Sequence, residues 1–120
     1  MSLGTYLSKL KKEAENYQKR IVRSIKEVYG EDITIILFGS RARGDHSLKS
    51  DFDVLVITKT PGDILGNIVK IRRRLGQKIF GIDIVVIKPE DMTNPVVKRM
   101  MENIKVLYDG LGIFFKNKIE

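Results

Sequence analysis

Three aspartates stand in runs that are otherwise built for a core. Asp51 and Asp53 flank Phe52 at the start of Asp51-Phe52-Asp53-Val54-Leu55-Val56-Ile57, and Asp83 interrupts Gly81-Ile82-Asp83-Ile84-Val85-Val86-Ile87. An extended chain alternates its faces, so Asp51 and Asp53 point the same way, about 6.6 Å apart along the strand. Leu55 and Ile57 continue that face, which puts both acids at the strand's entrance. An ionised carboxylate in an apolar run is costly unless it is paired or metal-bound. With the two runs as neighbouring strands, three carboxylates converge and raise one another's pKa until cations neutralise them. Mg2+ suits such a site, being a hard ion that takes oxygen ligands, keeps waters and completes its shell with phosphates. Two such ions about 3.5–4 Å apart can clamp the attacking and leaving oxygens of an in-line displacement at phosphorus. Each acid alone has a plainer reading as a turn cap or a solvated edge residue. The combination carries the chemistry.

The second chemical element is Gly39-Ser40. It ends the β-branched run Ile33-Thr34-Ile35-Ile36-Leu37-Phe38. A buried strand that breaks at glycine and starts a helical turn presents backbone N–H groups, which attract phosphate. Gly39 lets the backbone approach an anion, the Ser40 hydroxyl adds a donor, and Arg41 and Arg43 can supply guanidinium groups that grip phosphate oxygens. Ser40-Arg41-Ala42-Arg43-Gly44 reads as one helical turn, with Ser40 as the cap and Gly44 as the stop.

These residues need a scaffold, and the periodicity supplies one. Leu3, Leu7, Leu10, Ala14, Tyr17, Ile21, Ile25 and Val28 form a helical stripe over residues 3–28, closed by Gly30. The stripe either packs on the chain's own sheet or forms a short coiled coil. Residues 33–38 and 51–57 read as strands, with a polar loop from Asp45 to Ser50 between them. Asp63 caps a helix to about Leu75, stopped by Gly76. Ile79 to Ile87 is a third strand, and Asn94-Pro95 opens a helix through about Asn103. Ile104 to Tyr108 is a short strand or a continued helix, followed by Gly110, Gly112 and a last segment from Ile113 to Ile119. The expectation is one α/β (α+β) domain over residues 1–120, with a small mixed sheet of three or more strands, the long N-terminal helix and flanking helices.

Composition narrows the chemistry further. The 120 residues carry a net charge of +7 and no cysteine, which excludes disulfide frameworks, thiol nucleophiles and cysteine-based metal sites. One histidine, His46, argues against a Ser-His-Asp hydrolase. No apolar run spans a bilayer and no secretory signal is evident, so the expected location is cytoplasmic, away from membranes. The positive charge is spread along the chain, with only Arg72-Arg73-Arg74 dense; it reads as a solvated surface or as contact with a polyanion such as nucleic acid or nucleotide. Gly110-Leu111-Gly112 lacks the rest of a dinucleotide fingerprint, and there is no P-loop.

The string from Gly39 to Asp53 resembles the signature of the DNA polymerase beta-like nucleotidyltransferase superfamily: Gly-Ser, Ala-Arg-Gly, then Ser-Asp-x-Asp, with a third Asp on a later strand. In its size of 120 residues the chain resembles the minimal nucleotidyltransferases, antitoxin halves of HEPN–MNT toxin–antitoxin pairs. The resemblance covers residues 33–87 and extends towards Tyr108. It implies that Gly39 and Ser40 contact nucleotide phosphates with Arg43 in support, and that Asp51 and Asp53 bind two Mg2+ ions, or Mn2+ in their place. It further implies that Asp83 completes the metal site and helps deprotonate the acceptor. Arg41 falls at a variable position of the signature. The implied reaction moves a nucleoside monophosphate from ATP, or another NTP, to a hydroxyl, expected on a tyrosine of a helical HEPN-type partner. The alternative is a non-catalytic module that neutralises its partner by occlusion in a homo- or hetero-oligomer. Antibiotic-modifying relatives need a further helical domain, for which these 120 residues leave no room. Arg41-x4-His46 matches a HEPN ribonuclease element in spacing only, since it lies between strands. The expected docking surface is Leu111 to Phe115, unless that segment packs back over the sheet edge.

Overall fold

The computed structural model describes residues 2–115. Helix α1 (Leu3–Tyr29) starts at Ser2, whose hydroxyl accepts the Thr5 N–H, and stops at Gly30 with φ 85°. Strand β1 (Ile33–Phe38) follows, then the single turn α2 (Ser40–Arg43) and strand β2 (Phe52–Thr58). Asp63 caps helix α3 (Ile64–Leu75) by accepting the Gly66 N–H. Strand β3 (Ile82–Ile87), a 3-10 turn (Pro89–Thr93), helix α4 (Pro95–Met100) and strand β4 (Lys105–Asp109) complete the described chain.

The strands form one mixed sheet in the order β3-β2-β1-β4. β1 runs antiparallel to both β2 and β4, while β2 and β3 are parallel. Parallel neighbours require a crossover, and α3 supplies it on the same face as α1. That face buries Ile33, Ile35, Leu37, Phe52, Val54 and Val56 under Tyr17, Ile21 and Ile25 of α1 and Ile71 and Leu75 of α3. Tyr17, Phe52 and Phe80 meet there as three rings with centroids 5.5 to 5.7 Å apart. Aromatic pairs at such spacing contribute about 0.5–1.5 kcal/mol each beyond their area. The opposite face holds a second cluster of Ile36, Leu55, Ile57, Ile87 and Val97. Both faces are covered, which is why the strands read as apolar runs without alternation.

Most element boundaries fall at or near where the sequence places them, with the following differences and one open choice resolved. β2 begins at Phe52, one residue after Asp51. β3 begins at Ile82, because Phe80 turns inward to the ring cluster while Ile79 stays exposed. α4 ends at Met100, so that Met101 and Ile104 can reach the second cluster. Residues 105–109 are a strand, which settles the open choice at 104–108.

The α1 stripe packs on the chain's own sheet from Ala14 onwards, while Leu3, Tyr6 and Leu7 remain exposed. The C-terminal segment also packs back: Leu111, Ile113 and Phe114 lie against the second cluster. Asp109 holds it there, accepting the N–H groups of Ile113, Phe114 and Phe115 at 2.6 to 2.9 Å and the Thr34 hydroxyl at 2.8 Å. Of the two phenylalanines expected to mark a docking surface, only Phe115 is exposed. Lys116, Lys118 and Ile119 lie outside the described residues. Among the described residues, no helix is long and apolar enough to cross a membrane.

Candidate active site

Asp53 and Asp83 are register partners across the parallel pair β2–β3. Asp53 is in phase with Leu55 and Ile57, and Asp83 with Val85 and Ile87, so both acids project on the face of the second cluster. They stand where those apolar columns give out. Burial pushes the Asp53 carboxyl above the usual carboxylate range, and the negative charges of Asp83 and Asp51 push it further. Arg43 pulls in the opposite direction, and hydrogen bonding to Asp83 favours the protonated form. Burial and mutual repulsion of this kind are what converging acids produce.

Asp51 is set somewhat apart. It lies just outside β2, and its carboxylate rests over Gly81, where a Cβ would come within 2.6 Å of Asp51 Cγ. Gly81 also accepts the Phe52 N–H at 2.9 Å, which locks the entrance of β2 to that of β3. Sequence reasoning missed Gly81. Its signal was a glycine two residues before Asp83, at the start of an apolar run. Among the described residues, no three acids or histidines gather into a ready metal cage. An open set of carboxylates still fits Mg2+, which draws most of its ligands from water and substrate phosphates.

The Gly-Ser turn is built onto the same carboxylates. The Cα atoms of Phe38 and Asp53 are partners, so the turn after β1 begins beside Asp53. Gly39 has φ 74° and ψ −155°, and a Cβ there would run into the Asp53 carboxylate. One correction concerns the cap. Gly39, not Ser40, occupies the cap position, and its carbonyl accepts the N–H groups of Ala42 and Arg43, each at 3.1 Å. Ser40 is the first helical residue, so its hydroxyl is not consumed by capping. Gly44 closes the turn as expected, in the left-handed region with φ 84°.

The two arginines divide their labour. Arg43 is exposed, pairs with Asp45 at 3.1 Å, and acts on Asp53 through its charge. Arg41 does not reach out for phosphate. Its Nε donates to the Ser50 carbonyl at 2.9 Å and its Nη2 to the Leu48 carbonyl at 3.1 Å. Its guanidinium stacks 4.1 Å from the Phe52 ring centroid and 5.3 Å from that of Phe80. Arg41 therefore clamps the loop that joins the Gly-Ser turn to Asp51. In the Arg72-Arg73-Arg74 run, Arg72 donates to the Ile82 carbonyl and Arg74 faces Glu27, both within the fold.

Residues 18–108 match the family described as "Nucleotidyltransferase domain". The chain belongs to the nucleotidyltransferase domain family. Two relatives from Methanocaldococcus jannaschii carry the name "Putative protein adenylyltransferase". One is 32% identical over 91% of this chain and 80% of its own length. The other is 30% identical over 75% of this chain and 93% of its own length. A crystal structure titled as a "putative nucleotidyltransferase" from Sulfolobus solfataricus shares the fold, with a TM-score of 0.58 at 20% identity over 83% of this chain and 84% of that one. The candidate site of this nucleotidyltransferase, from Gly39 to Asp83, lies wholly inside the matched region.

Proposed function

We propose that this nucleotidyltransferase moves AMP from ATP to a hydroxyl of a second protein. One observation carries the reading: the Gly39-Ser40 turn and the Asp53–Asp83 pair are built against each other, so a triphosphate on the turn meets the acids directly. Gly39 and Ser40 take the β- and γ-phosphates, and Arg43 adds positive charge beside them. The bond from the α-phosphorus to the bridging oxygen of pyrophosphate breaks as the bond to the acceptor oxygen forms. Asp83, exposed on the outer strand of the sheet, accepts the hydroxyl proton. Asp51, Asp53 and Asp83 would hold Mg2+, or Mn2+, which when bound offsets the charge of carboxylates and phosphates.

The acceptor we propose is a tyrosine of a helical HEPN-type partner, silenced by the modification. The names of the two relatives support a protein acceptor. An acid on an edge strand also suits a hydroxyl delivered by a large molecule. The test incubates the purified protein with α-labelled ATP and such a partner. Label should appear on the partner only with Mg2+ or Mn2+, disappear in EDTA, and be lost with Asp53→Asn. Equal labelling by Asp53→Asn would refute the site, and protection of the partner without labelling would favour occlusion.

A further inference from the structure

A cavity of about 500 Å3 lies on the opposite face of the sheet from the carboxylates, between α1 and the loop after α2. None of Gly39, Ser40, Arg43, Asp51, Asp53 and Asp83 lines it. Its floor is Leu37 and Phe52, each one residue from the Phe38–Asp53 pair but facing the other way. Its walls carry Lys11, Lys19, Lys105 and Arg41 against a single acid, Glu15. The loop contributes Leu48 and the ring of His46. Nδ1 of that ring is shielded from solvent and has no hydrogen-bond partner. Buried polar atoms nearly always have one. The volume falls within the range of about 300–1,000 Å3 typical of small-molecule sites.

We propose that this cavity is a second, metal-independent binding site for a small phosphate-bearing ligand with a flat apolar body, the class a nucleoside monophosphate represents. The lysines attract the phosphate, and the apolar floor accommodates the body. His46 lies along the same wall, so its ring senses a ligand held there. A bare anion would use the lysines and leave the floor unused. A neutral apolar molecule would leave the excess positive charge of the walls unmatched. The site goes beyond the transfer reaction and does not depend on it, because its residues and those of the transfer site are disjoint.

His46 is the only histidine, so its imidazole resonances are read without ambiguity, and the Asp53→Asn variant separates a response to this cavity from one to the transfer site. The experiment titrates AMP into the intact protein in EDTA and follows the His46 ring by proton–nitrogen correlation. Saturable shifts are expected, unchanged in Asp53→Asn and weakened at least tenfold in Lys19→Glu/Lys105→Glu. Both lysines are exposed, so the double variant should fold, and circular dichroism checks that. Absence of any shift in the wild type at millimolar AMP overturns the proposal whatever the variants do. Loss of the shifts in Asp53→Asn would place the ligand in the transfer site instead. Equal affinity for inorganic phosphate would overturn the nucleotide class. Failure of AMP transfer to a partner would leave all these readouts untouched.

Discussion

Gly39→Ala tests whether the turn and the carboxylates are one device. The substitution does two things at once. It asks alanine to adopt φ 74°, ψ −155°, a region reserved almost entirely for glycine. Such strain costs about 1–3 kcal/mol. It also places a methyl group where the Asp53 carboxylate lies, with Cγ only 3.2 Å away. Rotating Asp53 out of its preferred conformer adds about 0.5–1.5 kcal/mol. Together the loss should be about 2–4 kcal/mol, or about 8–16 °C in Tm at about 4 °C per kcal/mol for a domain of this size. The control is Gly44→Ala, where φ is 84° and ψ 7° and an added Cβ meets nothing within 4 Å. That change should cost only about 1–2 kcal/mol of left-handed strain. Transfer should separate the two still further, since a displacement of about 1 Å at a reacting group can cost on the order of 100-fold. Thermal denaturation and labelled-ATP transfer on both variants make the comparison. If Gly39→Ala is no less stable than Gly44→Ala and transfers as well, the coupling of turn to carboxylate is wrong.

Three further outcomes follow from the same geometry. Asp53→Asn should stabilise the protein without metal by no more than about 1 kcal/mol after solvent screening, read as a small rise in Tm. Because the Asp53 pKa is raised in the fold, its ionisation opposes folding as pH climbs past the unfolded value, so the gap between variant and wild type should widen with pH and vanish in acid. Asp109 has the opposite sign. Burial alone would raise its pKa, but the hydrogen bonds from Phe115, Thr34, Phe114 and Ile113 hold it below the usual range. Its contribution is thus complete above the unfolded pKa of about 3.9 and is lost as pH falls through the lower folded value. Asp109→Ala should cost about 1–3 kcal/mol at neutral pH and little below that window, read by denaturation across pH. Arg41→Ala removes two hydrogen bonds and the stack on Phe52, about 2–3 kcal/mol. Limited proteolysis should then cut the 45–50 loop faster, and unchanged cleavage would show that Arg41 is no clamp.

What the sequence revealed of this molecule follows from the range of each interaction. Gly30, Gly44, Asp63 and Asn94-Pro95 mark element ends through contacts within a few residues, and the structure uses each one at its expected place. Asp53 and Asp83 were readable as misfits because an acid in an apolar strand stands out on its own. Their meeting depended on β2 and β3 being parallel neighbours, which the intervening α3 pattern suggests and only the sheet order decides. Arg41 was misread for a different reason. Its partners are carbonyls of Leu48 and Ser50 and the ring of Phe80, and carbonyls have no sequence signature. Gly81 stayed hidden because its role is to leave room for a side chain from another strand. The expected cap at Ser40 moved to Gly39 because the turn must begin where a Cβ cannot fit.

The arrangement also explains why the carboxylates sit at the entrances of β2 and β3 and not deeper in them. Deeper in the strand, Leu55 and Ile57 are fully buried beneath the second cluster, and an unpaired acid there would cost the fold several kcal/mol. At the entrance, Asp53 is half-buried and Asp83 exposed, so the repulsion between them is partly screened by water. The carboxylates are therefore tolerable there but oppose one another's ionisation, and burial with the charges of Asp83 and Asp51 raises the Asp53 pKa. Binding that supplies positive charge or a proton relieves the repulsion, and any ligand that favours the folded state stabilises it, by about 2.7 kcal/mol at 100 times its Kd. The same placement leaves Asp83 open to solvent. A more deeply buried pair would repel more strongly and would be shut off from solvent.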